Sequence, residues 1–317
     1  MANYFKFQDE GFSPATVEEA RFINLAAPSQ DELIALARDL DIPYLFLADP
    51  LDPGERPRVD QENGVTLVIV RVPLVRLGAS PNLIHDEFKF HGLPTIPVGI
   101  IVKDGLAVVV CSDPFLSLEL LGRITRKPRP KSVNLLLFKI LMETSTDFLH
   151  HLERLEDETD RLELNLPKAQ QNEEIMTLLA MEKTLIHYGV ALKSNRGIME
   201  KLLGPSLLSL DAEELYILER VLTENQQAIF MADIFGQVLG SMGDAFGTII
   251  SNNLNKVVKF LTGITIILML PTFIVGLYGM NVRLPIEKEP WAFWALLVLC
   301  VCSCALLWLF FSRKKWV

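Results

Sequence analysis

Hydrophobic spacing along this chain shifts from strand-like to helical and then to unbroken. In the first 125 or so residues, apolar or β-branched runs of strand length occur at 21–25, 65–72, 98–103 and 106–111. Asp104-Gly105 separates the last two runs and is the strongest hairpin signal in the sequence. A helical pattern interrupts them at 29–39, where Ser29 is placed to cap and Leu33, Leu36, Ala37 and Leu40 share one face. The segment DPLDPGERPRV, starting at Asp49, reads as loop. Together these elements predict an α/β lobe.

Residues 125–132, TRKPRPKS, form a proline-rich basic linker. Beyond it the pattern predicts long helices over 133–166 and 172–203, ended by Pro167 and by Gly204-Pro205. Asp211 caps a third helix, with Glu213 and Glu214 near its positive end. No proline occurs from Ala212 to Leu270, so this helix is expected to run from the soluble region into a membrane. At about 1.5 Å per residue it approaches roughly 100 Å. A helix of that length needs partners, which predicts oligomerisation.

Residues 260–280 and 291–311 carry no formal charge. Each run is long enough to cross a hydrocarbon core of about 30 Å. Lys256, Lys259, Arg313, Lys314 and Lys315 flank the pair, against Arg283 and Lys288 between them, where Glu287 and Glu289 also lie. That bias places both ends of the chain in the cytoplasm and the loop outside. The N-terminus, MANYFKFQDEGF, has no basic region followed by an apolar run, so no cleavable signal is expected. The expected division is 1–129 cytoplasmic α/β domain, 130–259 long-helix stalk, 260–281 first transmembrane helix, 282–290 external loop, 291–312 second transmembrane helix and 313–317 basic tail.

A net charge of −9 argues against nucleic acid as a partner. Cys300, Cys302 and Cys304 fall in the second span and Cys111 in an apolar run, none with metal-ligand spacing. The first long helix is acidic, with Glu153, Glu156, Asp157, Glu158, Asp160 and Glu163 against Arg154 and Arg161. This reads first as a solvated face and second as a field that draws cations. His150 and His151 are adjacent and so do not share a helix face; His85, His91 and His187 are scattered and carry no assigned role. No phosphate-binding glycine loop or nucleophile–base grouping stands out, so no enzyme is expected.

Along the helix that enters the first span, Ser251, Asn255, Val258, Thr262, Thr265, Met269, Thr272 and Gly276 follow one another at steps of three or four. They make one continuous face that holds nearly all the hydroxyl and amide side chains of the segment, while the remaining faces are apolar. Small and hydroxyl residues on one face also serve to pack helices together. A polar stripe ending in an uncharged turn, Tyr278-Gly279-Met280-Asn281, favours a water-filled path shared by several copies. Met269 and Val258 interrupt it with apolar rings of the kind that gate by dewetting.

That YGMN at the end of a first span, a short loop, one more span and a basic end, Lys314-Lys315-Trp316, resembles the CorA family of divalent-cation channels. The resemblance implies an α+β membrane protein, with an N-terminal α/β cytoplasmic domain, a long helical stalk and two C-terminal transmembrane helices. It also implies assembly as a homopentameric funnel in the cell inner membrane, conducting Mg²⁺ and possible relatives such as Co²⁺ and Ni²⁺. By resemblance, Gly279, Met280 and Asn281 form the selectivity filter, and narrow pore positions fall on Asn255, Leu261, Met269, Thr272 and Gly276. A ring of Asn281 amides and nearby carbonyls suits Mg²⁺, which keeps its water and is held through it. Gly279 is expected to permit the backbone turn that aims those carbonyls, with Met280 packed behind.

The family's regulatory Mg²⁺ site between cytoplasmic lobes falls on Asp49, and the usual acidic partner falls near Arg220, beside Glu219. An Asp49–Arg220 ion pair is therefore the alternative to a metal there. Val282-Arg283-Leu284-Pro285 stands where the family often carries an aromatic and Met-Pro-Glu, which leaves the ion open among Mg²⁺, Co²⁺, Ni²⁺ and Zn²⁺. A Zn²⁺ transporter of the same family and a non-conducting membrane-anchored sensor are the other readings.

Overall fold

Seven strands form one sheet in the order β2-β1-β3-β7-β6-β5-β4. They are β1 (Ala2–Gln8), β2 (Gly11–Pro14), β3 (Phe22–Ala26), β4 (Arg58–Glu62), β5 (Val65–Pro73), β6 (Thr95–Lys103) and β7 (Leu106–Cys111). Every neighbouring pair is antiparallel except β3 with β7. This computed structural model describes residues 2–8, 11–16, 19–74, 95–125, 130–165, 172–204, 207–280, 289–314 and 316. They divide into two units, Met1–Gly243 and Asp244–Val317.

Both faces of the central strands are covered, which is why β5 and β6 read as nearly continuous apolar runs. Along β5, Val65, Leu67 and Ile69 enter one core with Leu33, Leu36, Phe46 and Leu47. Val68, Val70 and Val72 enter the other, with Leu120, Phe138, Leu141, Met199 and Leu218. The first core is closed by α1 (Gln30–Asp39) and α2 (Tyr44–Ala48). The second is closed by α3 (Pro114–Ile124), α4 (Val133–Asn165), α5 (Asn172–Leu202) and the first turns of α6 (Ala212–Tyr278).

Several local expectations are realised in detail. Ser29 and Glu32 form a reciprocal capping box at the start of α1. Asp104 and Gly105 take φ values of 47° and 74°, as a tight turn between β6 and β7 demands. Asp211 accepts from the Glu214 N–H at 2.8 Å, and the Glu214 carboxylate also receives bonds from Ser132 and Asn134, which tie the start of α6 to the start of α4. The segment after Asp49 is more ordered than a loop: Asp49–Leu51 is a 3₁₀ turn and β4 begins at Arg58. Pro50 is buried there against Gly99 of β6, and Arg58 gathers three carboxylates.

The second unit holds the end of α6 and α7 (Ala292–Arg313). Among the described residues, three helices are long and apolar enough to cross a bilayer: α5 over Glu174–Leu202, α6 and α7. The most apolar stretch of α5 is 39% buried, against 6% in α6 and in α7. In α5, fully buried Asn195 bonds both backbone groups of Arg71 in β5, so that helix is fastened to the sheet.

Candidate functional site

Two helices of the second unit pack through complementary faces. On α6 the less exposed residues are Gly263, Ile264, Ile267, Pro271, Ile274 and Tyr278. On α7 they are Ala292, Ala295, Leu296, Cys300, Ser303, Cys304, Leu307 and Phe311. Small residues recur on this stripe of α7, and the Cys304 thiol reaches the Ile267 carbonyl at 3.7 Å.

The polar stripe lies elsewhere. Each of Thr262, Thr265, Met269, Thr272 and Gly276 stands two positions before a residue of the α7-facing stripe. At about 100° per residue that is about 200° round the helix, the side away from α7. Ser251, Asn255, Val258, Leu261, Thr262, Thr265, Met269, Thr272 and Gly276 are all exposed in the single chain. Packing within the hairpin therefore does not account for the polar face. Thr265 and Thr272 donate to the carbonyls of Leu261 and Leu268, each at 2.8 Å, which satisfies the hydroxyl protons and leaves oxygen lone pairs facing outward from the helix.

At the end of α6, Gly279 donates to Val275 at 2.9 Å and Met280 to Leu277 at 3.3 Å. Gly279 is a turn residue directly after the last helical residue, Tyr278, and does not take a left-handed φ. Its N–H still bonds back to Val275, and its carbonyl lies at the negative end of the helix dipole. Met280 is exposed in the single chain. Asn281 lies outside the described residues.

In the first unit, Asp49 receives Arg58 Nη2 at 2.5 Å, and the same guanidinium meets Glu55 and Asp60. Burial lowers the Arg58 pKa, but the hydrogen bonds to Asp60 and Asp49 and the charge of Glu55 outweigh it and raise it. Glu219 and Arg220 are exposed on α6. Thus Asp49 already has a cationic partner within its own chain. Sequence reasoning missed both Arg58 and Gly99. The signal for Arg58 was its place amid Asp49, Glu55 and Asp60; Gly99 carried none, because only the fold brings Pro50 over it.

On α4, Glu153, Glu156, Asp157, Asp160 and Glu163 are exposed, while Glu158 is buried beside Arg161 at 3.2 Å. His151 meets the Tyr188 hydroxyl at 2.9 Å through Nδ1. Burial first, then Arg154, Arg123 and His150, pulls its pKa down to about 4, so it is neutral at physiological pH. Burial pushes the Cys111 thiol up to about 12, which keeps it protonated in the core. Among the described residues, no three His, Cys, Asp or Glu side chains gather as a metal centre.

A three-layered α/β body followed by apolar C-terminal helices, one bearing a polar stripe, fits a class of membrane transport protein. The chain matches the family model described as CorA-like Mg²⁺ transporter protein over residues 17–314, and it belongs to that family. It is 28% identical over 302 residues to the cobalt/magnesium transport protein CorA of Methanocaldococcus jannaschii, covering 93% of this chain and 91% of that one. To the protein of the same name from Thermotoga maritima it is 24% identical over 278 residues, covering 86% and 76%. The complete structure of the CorA magnesium transporter from M. jannaschii superposes with a TM-score of 0.83 at 27% identity, covering 100% of this chain and 99% of that one. Full-length CmaX shares the fold, with a TM-score of 0.73 at 16% identity.

Proposed function

We propose that this chain is the subunit of a homopentameric inner-membrane channel that conducts Mg²⁺ into the cytoplasm, with Co²⁺ and Ni²⁺ as further ions. The reading uses two spans per subunit, 260–281 and 291–312, joined by an external loop at 282–290. Residues 1–129 form a cytoplasmic α/β domain, 130–259 a cytoplasmic stalk region and 313–317 a basic cytoplasmic tail. Helix α5 stays in the soluble body, because its clamp on β5 is incompatible with leaving for lipid. One observation carries the proposal: α7 covers an apolar stripe of α6 and, among the described residues, leaves the stripe of Ser251, Asn255, Val258, Thr262, Thr265, Met269, Thr272 and Gly276 exposed.

Five such stripes around an axis supply hydroxyl and amide oxygens to a hydrated ion, with Val258, Leu261 and Met269 as apolar constrictions. Gly279, Met280 and Asn281 form the outer filter. There, amide and carbonyl oxygens accept from the water that Mg²⁺ retains, strongly enough to admit the ion and weakly enough to release it. A potential of about 100 mV supplies about 4.6 kcal/mol for an inward divalent charge. Asn281→Ala is expected to abolish Mg²⁺ uptake into proteoliposomes while leaving the oligomer intact on a sizing column. Normal flux in that variant refutes the filter. Competition by Co²⁺, Ni²⁺ and Zn²⁺ in the same assay separates a Mg²⁺ channel from a Zn²⁺ transporter.

Asp49 is the candidate regulatory residue. Its pair with Arg58 supports a gate that depends less on cytoplasmic Mg²⁺, since a metal at Asp49 must displace the guanidinium. Arg58→Gln leaves that carboxylate open to a cation, so millimolar Mg²⁺ should protect this variant from limited proteolysis more than it protects the parent. Equal protection of the two removes Arg58 from the account.

A further inference from the structure

Pro271 lies within α6, on the stripe that α7 covers. Proline has no N–H, so the carbonyl of Ile267, four residues earlier, loses its helical donor. Hydrocarbon offers no water to replace it. The replacement comes from the neighbouring helix, where the Cys304 thiol donates to the Ile267 carbonyl at 3.7 Å. Nearby hydroxyls are committed elsewhere: Thr272 donates to Leu268 at 2.8 Å, and Ser303 to Cys300 at 2.8 Å.

We propose that Cys304 is a positioning residue for the pore helix, its S–H taking the carbonyl that Pro271 frees and tying α7 to α6 where α6 lacks an internal bond. A missing bond in the helical ladder is where a helix bends. Thr272, Gly276 and the filter lie beyond the break, so the angle held there sets their distance from the axis. This role rests on the pore reading above.

The test is a double-substitution cycle in reconstituted full-length protein, with two readouts. In the infrared, the S–H stretch of Cys304 is isolated by subtracting the spectrum of Cys304→Val. It should be shifted down by hydrogen bonding in the parent and return to the free position in Pro271→Ala, where the new N–H reclaims Ile267. In Mg²⁺ uptake, Cys304→Val should lower the rate about two- to fivefold, as expected for a weak donor, and have no effect when added to Pro271→Ala. An S–H band that does not move between the parent and Pro271→Ala overturns the proposal, as does an equal loss of uptake in both backgrounds. If no form transports Mg²⁺, the pore reading fails, and the S–H band alone decides whether the tether exists.

Discussion

At Gly99 the sheet comes so close to the turn at Asp49–Leu51 that a side-chain carbon built there would lie 2.2 Å from Pro50 Cγ and 2.7 Å from its Cβ. Pro50 is a rigid ring with buried surroundings, so the added carbon has to push the turn away. Asp49 is the residue before Pro50 and would move with it, out of reach of Arg58. Overpacking of this kind costs about 1–3 kcal/mol. Gly99→Ala should therefore lower the urea midpoint of the soluble unit and raise the protease sensitivity of the chain around Asp49. A variant as stable as the parent would mean that the turn yields freely and that Gly99 does not place Asp49. The demand at this glycine is for space and not for φ, unlike Gly105, whose φ of 74° belongs to the left-handed region.

Among the elements, the join between β5 and α5 shows how a side chain completes a ladder. β4 begins at Arg58, which stands opposite Ile69 of β5. Two residues further along β5, Arg71 has passed the end of that neighbour. Its N–H and C=O point the same way, as in any antiparallel strand. Asn195 answers both: Oδ1 accepts from the Arg71 N–H at 2.9 Å, and Nδ2 donates to the Arg71 carbonyl at 2.7 Å. Asn195→Leu removes both partners at a fully buried site, for a loss of about 2–4 kcal/mol. The thermal midpoint should fall, and exchange of the Arg71 amide with deuterium should quicken. Unchanged exchange would show that the amide does not hold this edge. Such a contact is illegible in sequence, because it joins residues 124 apart and the side chain replaces a strand. Legible elements carried their signal locally, as with Ser29 and Glu32 for α1 and Asp104-Gly105 for the β6–β7 turn. β4, with sequence RVDQE, is a polar edge strand with no apolar alternation, so only pairing with β5 defines it. For α3, the signal lay in Asp113-Pro114: the Asp113 carboxylate accepts from Phe115 and Leu116, and Pro114 opens the helix.

At the scale of the whole molecule, the question is which surface of the membrane unit meets other copies. Only 6% of the most apolar stretch of α6, and of α7, is buried, so most of each stretch is left for lipid or for other copies of the chain. The sequence spacing defines the polar face of α6 but not its surroundings; the position of α7 decides that, and it lies on the opposite side. Helices that assemble around a watery axis must turn Thr265 and Thr272 inward, and α7 then falls outside the ring. Cys302 is exposed on α7, off the stripe that faces α6, and serves as a built-in outer marker. Oxidation of Thr265→Cys or Thr272→Cys protein in membranes should therefore link subunits into covalent dimers. The parent chain, with Cys302 in place, should remain monomeric on the same denaturing gel. Dimers from the parent, with none added by either threonine position, would put α7 at the subunit contact and turn the threonines toward lipid. That arrangement has no continuous polar path, and the channel reading could not survive it.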